Sequence, residues 1–174
     1  DEGDPQRRSP PTVSVVNVRG FRDRTTLSGA GKHRTLAQLL GKGPVGLTEV
    51  KWLVGDAGLL EASLMGCTVV ASIDPDPTWD GDVAHPRAGV AWCLPPPWNN
   101  WPCQEREIDP GHALALHVTR PNGAVWWLVL LYLSAGPQTA ILEKVYMDHA
   151  VYSSTPTPPR KIHALPRNPS ERRG

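Results

Sequence analysis

The stretch Pro44 to Trp52, Pro-Val-Gly-Leu-Thr-Glu-Val-Lys-Trp, reads as a buried strand that ends in a carboxylate, Glu49. Gly41, Gly43 and Pro44 break the chain before it, and Lys51 and the pair Gly55-Asp56 follow it. Upstream, Lys32 to Leu40 places Leu36, Leu39 and Leu40 on one helical face, the pattern of a short amphipathic helix. Before that, Thr12 to Val18 is a β-branched run whose apolar residues fall on both faces, which suits a central strand covered on both sides. Strand, helix and strand form a βαβ unit, which implies parallel neighbours joined by a right-handed crossover. In open α/β sheets, ligand chemistry gathers at the carboxyl ends of strands, and Glu49 lies at such an end.

Composition narrows the classes. A chain of 174 residues and 19.0 kDa is long enough for one domain with a real core. Net charge is +1, so the whole-protein field neither demands nor excludes a polyanionic partner, and any affinity for nucleic acid must be local. The cysteines Cys67, Cys93 and Cys103 are odd in number and widely spaced, with no secretory leader pattern. A reducing, intracellular setting, nucleus or cytoplasm, is expected. The longest apolar run, Ala124 to Leu133, is far short of the ~20 residues that cross a bilayer, so no membrane partner is expected.

Outward from the βαβ unit the chain divides into three. Residues 1–11 mix both charges with proline and read as a disordered lead. Residues 12–151 carry the fold. Residues 152–174 read as a basic, proline-rich disordered tail. Within the middle segment, Ala57 to Met65 has helical character and Cys67 to Ile73 returns to strand composition. Asp74 to Arg87 is expected to be a loop without a periodic segment. Ala88 to Leu94 is a further strand, closed by Pro95, Pro96 and Pro97, while Trp98 to Pro110 yields no assignment. Gly111 to Thr119 and Ala124 to Leu133 flank Asn122-Gly123, a tight-hairpin signal. Both runs are apolar on both faces, which places the hairpin inside a sandwich. Gln138 to Val151 reads as a helix with Ile141, Leu142, Val145, Tyr146 and His149 on one face.

Candidate chemistry starts from adjacency. Asn17 ends the first strand and Glu49 the next, and neighbouring strands lie ~4.8 Å apart. An amide oxygen and a carboxylate there can converge on one hard cation such as Mg2+; Asn17 equally reads as an Asx turn closing its strand. Tyr132 brings a hydroxyl to a strand end, where it can touch a phosphate or be a satisfied buried tyrosine. Arg19 and Lys51 flank the two proposed ligands and can offset phosphate charge. The pair Trp98 and Trp101 either stacks nucleobases or packs a loop against the domain. Motifs for a nucleophile elbow, a zinc protease and a phosphate-binding loop are missing from the sequence.

Four stretches, taken in order, carry a family resemblance: Val15 to Gly20 (Val-Val-Asn-Val-Arg-Gly), Gly46 to Trp52, Ala88 to Trp92 (Ala-Gly-Val-Ala-Trp) and Leu128 to Leu133 (Leu-Val-Leu-Leu-Tyr-Leu). Together they resemble the endonuclease/exonuclease/phosphatase superfamily, in the flavour of the apurinic-type endonuclease domains of non-LTR retrotransposons. The resemblance implies an α/β fold, a partial four-layer α/β sandwich of deoxyribonuclease-I type, with a mixed sheet bearing helices on one face. It implies Mg2+-dependent phosphodiester hydrolysis on DNA, with Asn17 and Glu49 at metal-site positions and Tyr132 at the tyrosine that contacts the scissile phosphate.

The sequence also departs from that pattern. Val16 replaces the usual Trp, Arg19 stands where many repair members carry Asp, and Thr48 replaces Gln. Neither Gly-Asp-x-Asn nor a terminal Ser-Asp-His follows in the chain, and Asp148-His149, which imitates the latter, reads as helix surface. The expectation is the first half of the family's domain, catalytically impaired, with one sheet face open to self-association. A non-catalytic interaction or nucleic-acid-binding module is the alternative.

Overall fold

The computed structural model describes residues 12–21, 27–133 and 139–154. The expected lead, residues 1–11, and residues 155–174 of the expected tail fall outside the described residues, as do Gly136 and Pro137; residues 152–154, assigned to the tail, instead close a helix.

A four-stranded mixed sheet has the order β1 (Ser14–Asn17), β2 (Val45–Thr48), β6 (Gly89–Leu94), β3 (Thr68–Ile73). The parallel β1–β2 pair is joined by α1 (Leu27–Leu40), as the βαβ reading requires, although the helix starts five positions before Lys32. β6 pairs antiparallel with both β2 and β3. β1 is an edge strand, contrary to the expected central place, and Val15 on it and Val13 just before it are exposed. Its both-sided apolar pattern misled because one row of its side chains meets solvent.

One face of this sheet packs on α1 and on α2 (Asp56–Ser63) through Leu36, Leu40, Leu47, Leu60, Leu64 and Cys93. The other face, with Val70, Val90, Trp92 and Leu94, meets a second sheet through Leu114, Leu116, Val118 and Leu130. That second, three-stranded sheet has the order β7 (Cys103–Asp109), β8 (Ala113–Thr119), β9 (Val125–Leu131). The predicted hairpin is therefore β8–β9, but it belongs to this sheet and not to the mixed one. It covers the face expected to lie open, so the proposed route to self-association through that face is absent. Each fully buried Leu or Val here stabilises the fold by roughly 1.5–3 kcal/mol.

On the outer side of the second sheet lies α3 (Thr139–Ser154). Val145 is buried, Lys144 pairs with Asp109 at 2.5 Å, and His149 stacks on Trp127 with centroids 4.0 Å apart. Leu142 and Tyr146 are exposed, so the inward face of the helix is narrower than its periodicity predicted. Asp148, read as surface, is inward: its carboxylate accepts from Arg106 at 2.8 Å and stands 3.7 Å from His117 Nε2. Helices, sheet, sheet and helix make four layers.

Further elements lie in two stretches where the sequence showed none. Asp74 to Arg87, expected as loop, carries a small hairpin of β4 (Thr78–Asp80) and β5 (Val83–His85). Trp98–Asn100 forms a single 3-10 turn, and β7 follows it. Asp80-Gly81, with Gly81 at φ 57, is a recognisable turn signal that the surrounding acids and prolines obscured.

Candidate active site

Register places the predicted residues at one end of the sandwich. Asn17 pairs with Thr48, and the backbone contact continues beyond the strands: Val18 N–H donates to the Thr48 carbonyl at 3.0 Å and Gly20 N–H to the Glu49 carbonyl at 2.7 Å. Val50 N–H then donates to the Gly89 carbonyl at 3.1 Å, and Gly89 N–H to the Gly111 carbonyl at 3.0 Å. The latter bond ties the end of the mixed sheet to the loop that begins β8. Tyr132 N–H donates to the His112 carbonyl at 2.8 Å, which brings the end of β9 to the same place.

Here the sheets meet through side chains. The Tyr132 hydroxyl donates to Glu49 Oε1 at 2.5 Å, between residues 83 positions apart. The hydrogen bond to the Glu49 carboxylate, helped by partial burial, pushes the Tyr132 phenol above its ordinary value, so it stays protonated and remains a donor. His112 stacks nearly parallel on Tyr132, with centroids 6.0 Å apart and planes 8° apart. That histidine also faces Asp109 at 3.5 Å, a neighbourhood no sequence spacing announced.

Backbone strain concentrates at the same end. Among the described residues, the non-glycine positions with positive φ are Arg19 (47°), Glu49 (55°) and Lys51 (56°). A side chain in the left-handed region costs about 1–2 kcal/mol, and such residues gather where function rather than stability sets the backbone. The continued β1–β2 contact over-determines their conformation. Below it, Trp52 is 1% exposed and its indole N–H donates to the Phe21 carbonyl at 2.7 Å, pinning both loops.

The remaining predicted residues divide. Asn17 is exposed, and its Oδ1 accepts the Arg19 N–H at 3.1 Å, the Asx turn that its sequence position allowed. Arg19 is exposed beside it. Lys51 lines a shallow groove of about 470 Å³ with Gly20, Phe21, His85 and Pro86. The groove was not foreseen, because it needs the hairpin root at His85 and Pro86. The pair Trp98 and Trp101 lies at the opposite end of the sandwich, 5.0 Å apart, packed with Trp126 and Arg120. It packs a loop and does not serve this site.

Among the described residues no three His, Cys, Asp or Glu side chains converge as a metal cage. One carboxylate and one exposed amide oxygen at adjoining strand ends do suit Mg2+, which keeps waters and takes few protein ligands. The donor chemistry fits that ion and does not fit zinc, which prefers four N or S ligands. Burial raises all three thiols, Cys67 and Cys93 among them and Cys103 to about 12, which disfavours their thiolates.

No family model matches the chain, and no curated protein matches it. Among solved structures, the chain is similar to the crystal structure of the AP endonuclease LMAP from Leishmania major, at 17% identity and a TM-score of 0.47. The match covers 80% of this chain and 46% of that one, so this chain spans less than half the length of LMAP.

Proposed function

We propose that this chain forms part of the active face of a Mg2+-dependent phosphodiester-cleaving nuclease. The observation that carries the reading is the Tyr132 to Glu49 hydrogen bond at 2.5 Å, joining two sheets at the strained strand ends. Glu49 and Asn17 would hold Mg2+, which when bound supplies charge for a phosphate oxygen. Glu49 is oriented by the Tyr132 hydroxyl, and Tyr132, kept protonated by that contact, is a donor able to turn to a phosphate oxygen. Arg19 and Lys51 attract the polyanion to this end. DNA is the substrate class that the family resemblance implies. The reading assigns no general base to this chain, so weak hydrolysis is expected.

A second reading, a non-catalytic nucleic-acid-binding module, is favoured by one feature: the Asn17 oxygen already serves its own turn. Binding of Mn2+ as a paramagnetic stand-in, followed by electron paramagnetic resonance, separates the two. In the nuclease reading Glu49→Gln weakens Mn2+ binding most, while Tyr132→Phe, which removes only an orienting contact, weakens it less, on the order of tenfold. Nicking of supercoiled DNA in Mg2+ should then be slow and lost in Glu49→Gln. Unchanged Mn2+ binding in Glu49→Gln would overturn the nuclease reading and leave the binding module.

A further inference from the structure

The β4–β5 hairpin stands at the same end as Glu49. Ile73, the last residue of β3, pairs with Gly89, the first of β6, and Gly89 is bonded to Val50. The hairpin is the excursion between them. Its root is fixed: Asp74 Oδ2 accepts the N–H groups of Arg87 at 2.7 Å and Ala88 at 3.3 Å, and Asp74 Oδ1 accepts that of Asp76 at 3.0 Å. Across the ribbon, the Thr78 hydroxyl donates to the His85 carbonyl at 3.2 Å. Burial alone would raise the Asp74 carboxyl, but these three donors and the Arg87 charge outweigh it and hold the group below the usual carboxylate range.

On this arm sits an indole with no packing partner visible among the described residues. Trp79 is 66% exposed. It pairs across the ribbon with Ala84, which is buried, so the two share a face. Two residues on, Pro86 is also buried and lines the groove with Lys51. By register Trp79 shares a ribbon face with the buried Ala84, and its indole is left largely uncovered. Leaving so large an apolar group exposed on this arm forgoes burial that a neighbouring side chain would supply.

Charge is arranged around it in two zones. The groove at the root has Lys51 and His85 in its wall, with Arg87 and Arg19 exposed nearby in the chain, and no acidic residue among its described lining. The hairpin tip carries Asp80 and Asp82 on either side of Gly81. A phosphate is drawn to the root and repelled from the tip. What can reach Trp79 past the acidic tip is a neutral, flat group attached to a phosphate held at the root. That description fits an unstacked nucleobase of a single strand.

We propose that Trp79 is a base-stacking platform: a single-stranded nucleic acid lays its backbone in the Lys51 groove and stacks one base on the Trp79 indole beneath the hairpin. The inference rests on the nucleic-acid reading above and adds its preference for unpaired strand. Stacking on an aromatic side chain tolerates any base but requires one, which sets it apart from a contact to phosphate.

The test uses the full chain and a fluorescently labelled, mixed-sequence single-stranded DNA read by anisotropy. A second strand of the same length and backbone is abasic at every position. Wild type should bind the intact strand more tightly than the abasic one. Trp79→Leu should weaken the intact strand by roughly 5- to 100-fold, bring it level with the abasic one, and leave the salt dependence unchanged. Trp79→Phe, which keeps a ring, should restore most of the loss. Lys51→Ala should instead lower the slope of log affinity against log salt by roughly 0.7. Near-ultraviolet circular dichroism confirms that each variant is folded. If Trp79→Leu binds like wild type while Lys51→Ala is weakened, the stacking platform falls and the nucleic-acid reading stands. Equal binding of the intact and the fully abasic strand by wild type also sinks the platform. If wild type binds no strand even at low salt, both fall.

Discussion

At one end of the sandwich Glu49 and Tyr132 meet among three residues held in the left-handed region; at the other, Trp98, Trp101 and Trp126 close around Arg120. The Arg120 guanidinium lies 5.8 Å from the Trp101 ring and 5.9 Å from that of Trp126, and Trp98 is 6% exposed beneath. The aromatic end gains burial and cation–π attraction with few left-handed residues, so it contributes stability. The carboxylate end spends stability on strained backbone and leaves a groove and an indole open. The same two sheets thus carry a clasp at one end and, at the other, the face proposed above as the active one. A fold need not be uniform in this respect, since local stability varies across a structure.

Four measurements would break or sharpen this contrast. The largest effect belongs to the aromatic end: Trp98→Ala should lose about 3–5 kcal/mol in urea unfolding, while the strand binding of the remaining folded protein stays as in wild type. An equal loss of binding would show that the two ends are not separable. Next is Gly89, whose φ is +129° and where an added Cβ would sit 2.8 Å from Val50 Cγ2. Gly89→Ala should cost about 1–3 kcal/mol by overpacking and, unlike Trp98→Ala, should also weaken Mn2+ binding, because Val50 adjoins Glu49. Arg120→Ala removes two ring contacts of a partly exposed cation and should cost about 1 kcal/mol in thermal or urea unfolding, without effect at the Glu49 end.

The smallest effect is a titration. The folded pKa of Tyr132 is raised, so its contribution is fully present below the ordinary tyrosine value near 10 and is lost as pH rises through the higher folded value. Ultraviolet difference titration should show a late-ionising tyrosine in wild type that ionises earlier in Glu49→Gln. A coincident titration in the two proteins would mean that the 2.5 Å contact does not govern the phenol.

Much of the fold was legible. The βαβ unit, the strands at Thr68–Ile73 and Gly89–Leu94, and the β8–β9 hairpin all follow from apolar runs and breakers, because burial selects the same residue types that the sequence displays. What failed did so for identifiable reasons. β1 was misplaced to the centre of its sheet, since a short β-branched run looks alike whether one or both of its sides are paired. The β4–β5 hairpin went unseen because its residues are mostly exposed and carry no hydrophobic alternation. Asp148 was read as surface from its place on a helix, yet Arg106 from β7 pairs with it.

The candidate site was half legible. Asn17, Glu49 and Tyr132 were each marked by position at a strand end, and Arg19 and Lys51 by charge. Their left-handed backbones were not, because a non-glycine residue at positive φ leaves no trace in composition. The convergence of two sheets at this end is a matter of packing, and the hairpin that carries Tyr132 was expected in the mixed sheet, not in the second one.

The sequence by itself determined the α/β class, the strand that delivers Glu49 and the types of group available, because hydrophobic periodicity and turn chemistry are local. Only the tertiary structure decided that β7–β9 form a second sheet over the first, that Leu130 packs so close over Gly46 that its Cδ1 would lie 2.8 Å from an added Cβ, and that Tyr132 reaches Glu49. Those outcomes depend on how two apolar faces pack against each other, and packing couples residues 83 positions apart that no local pattern connects.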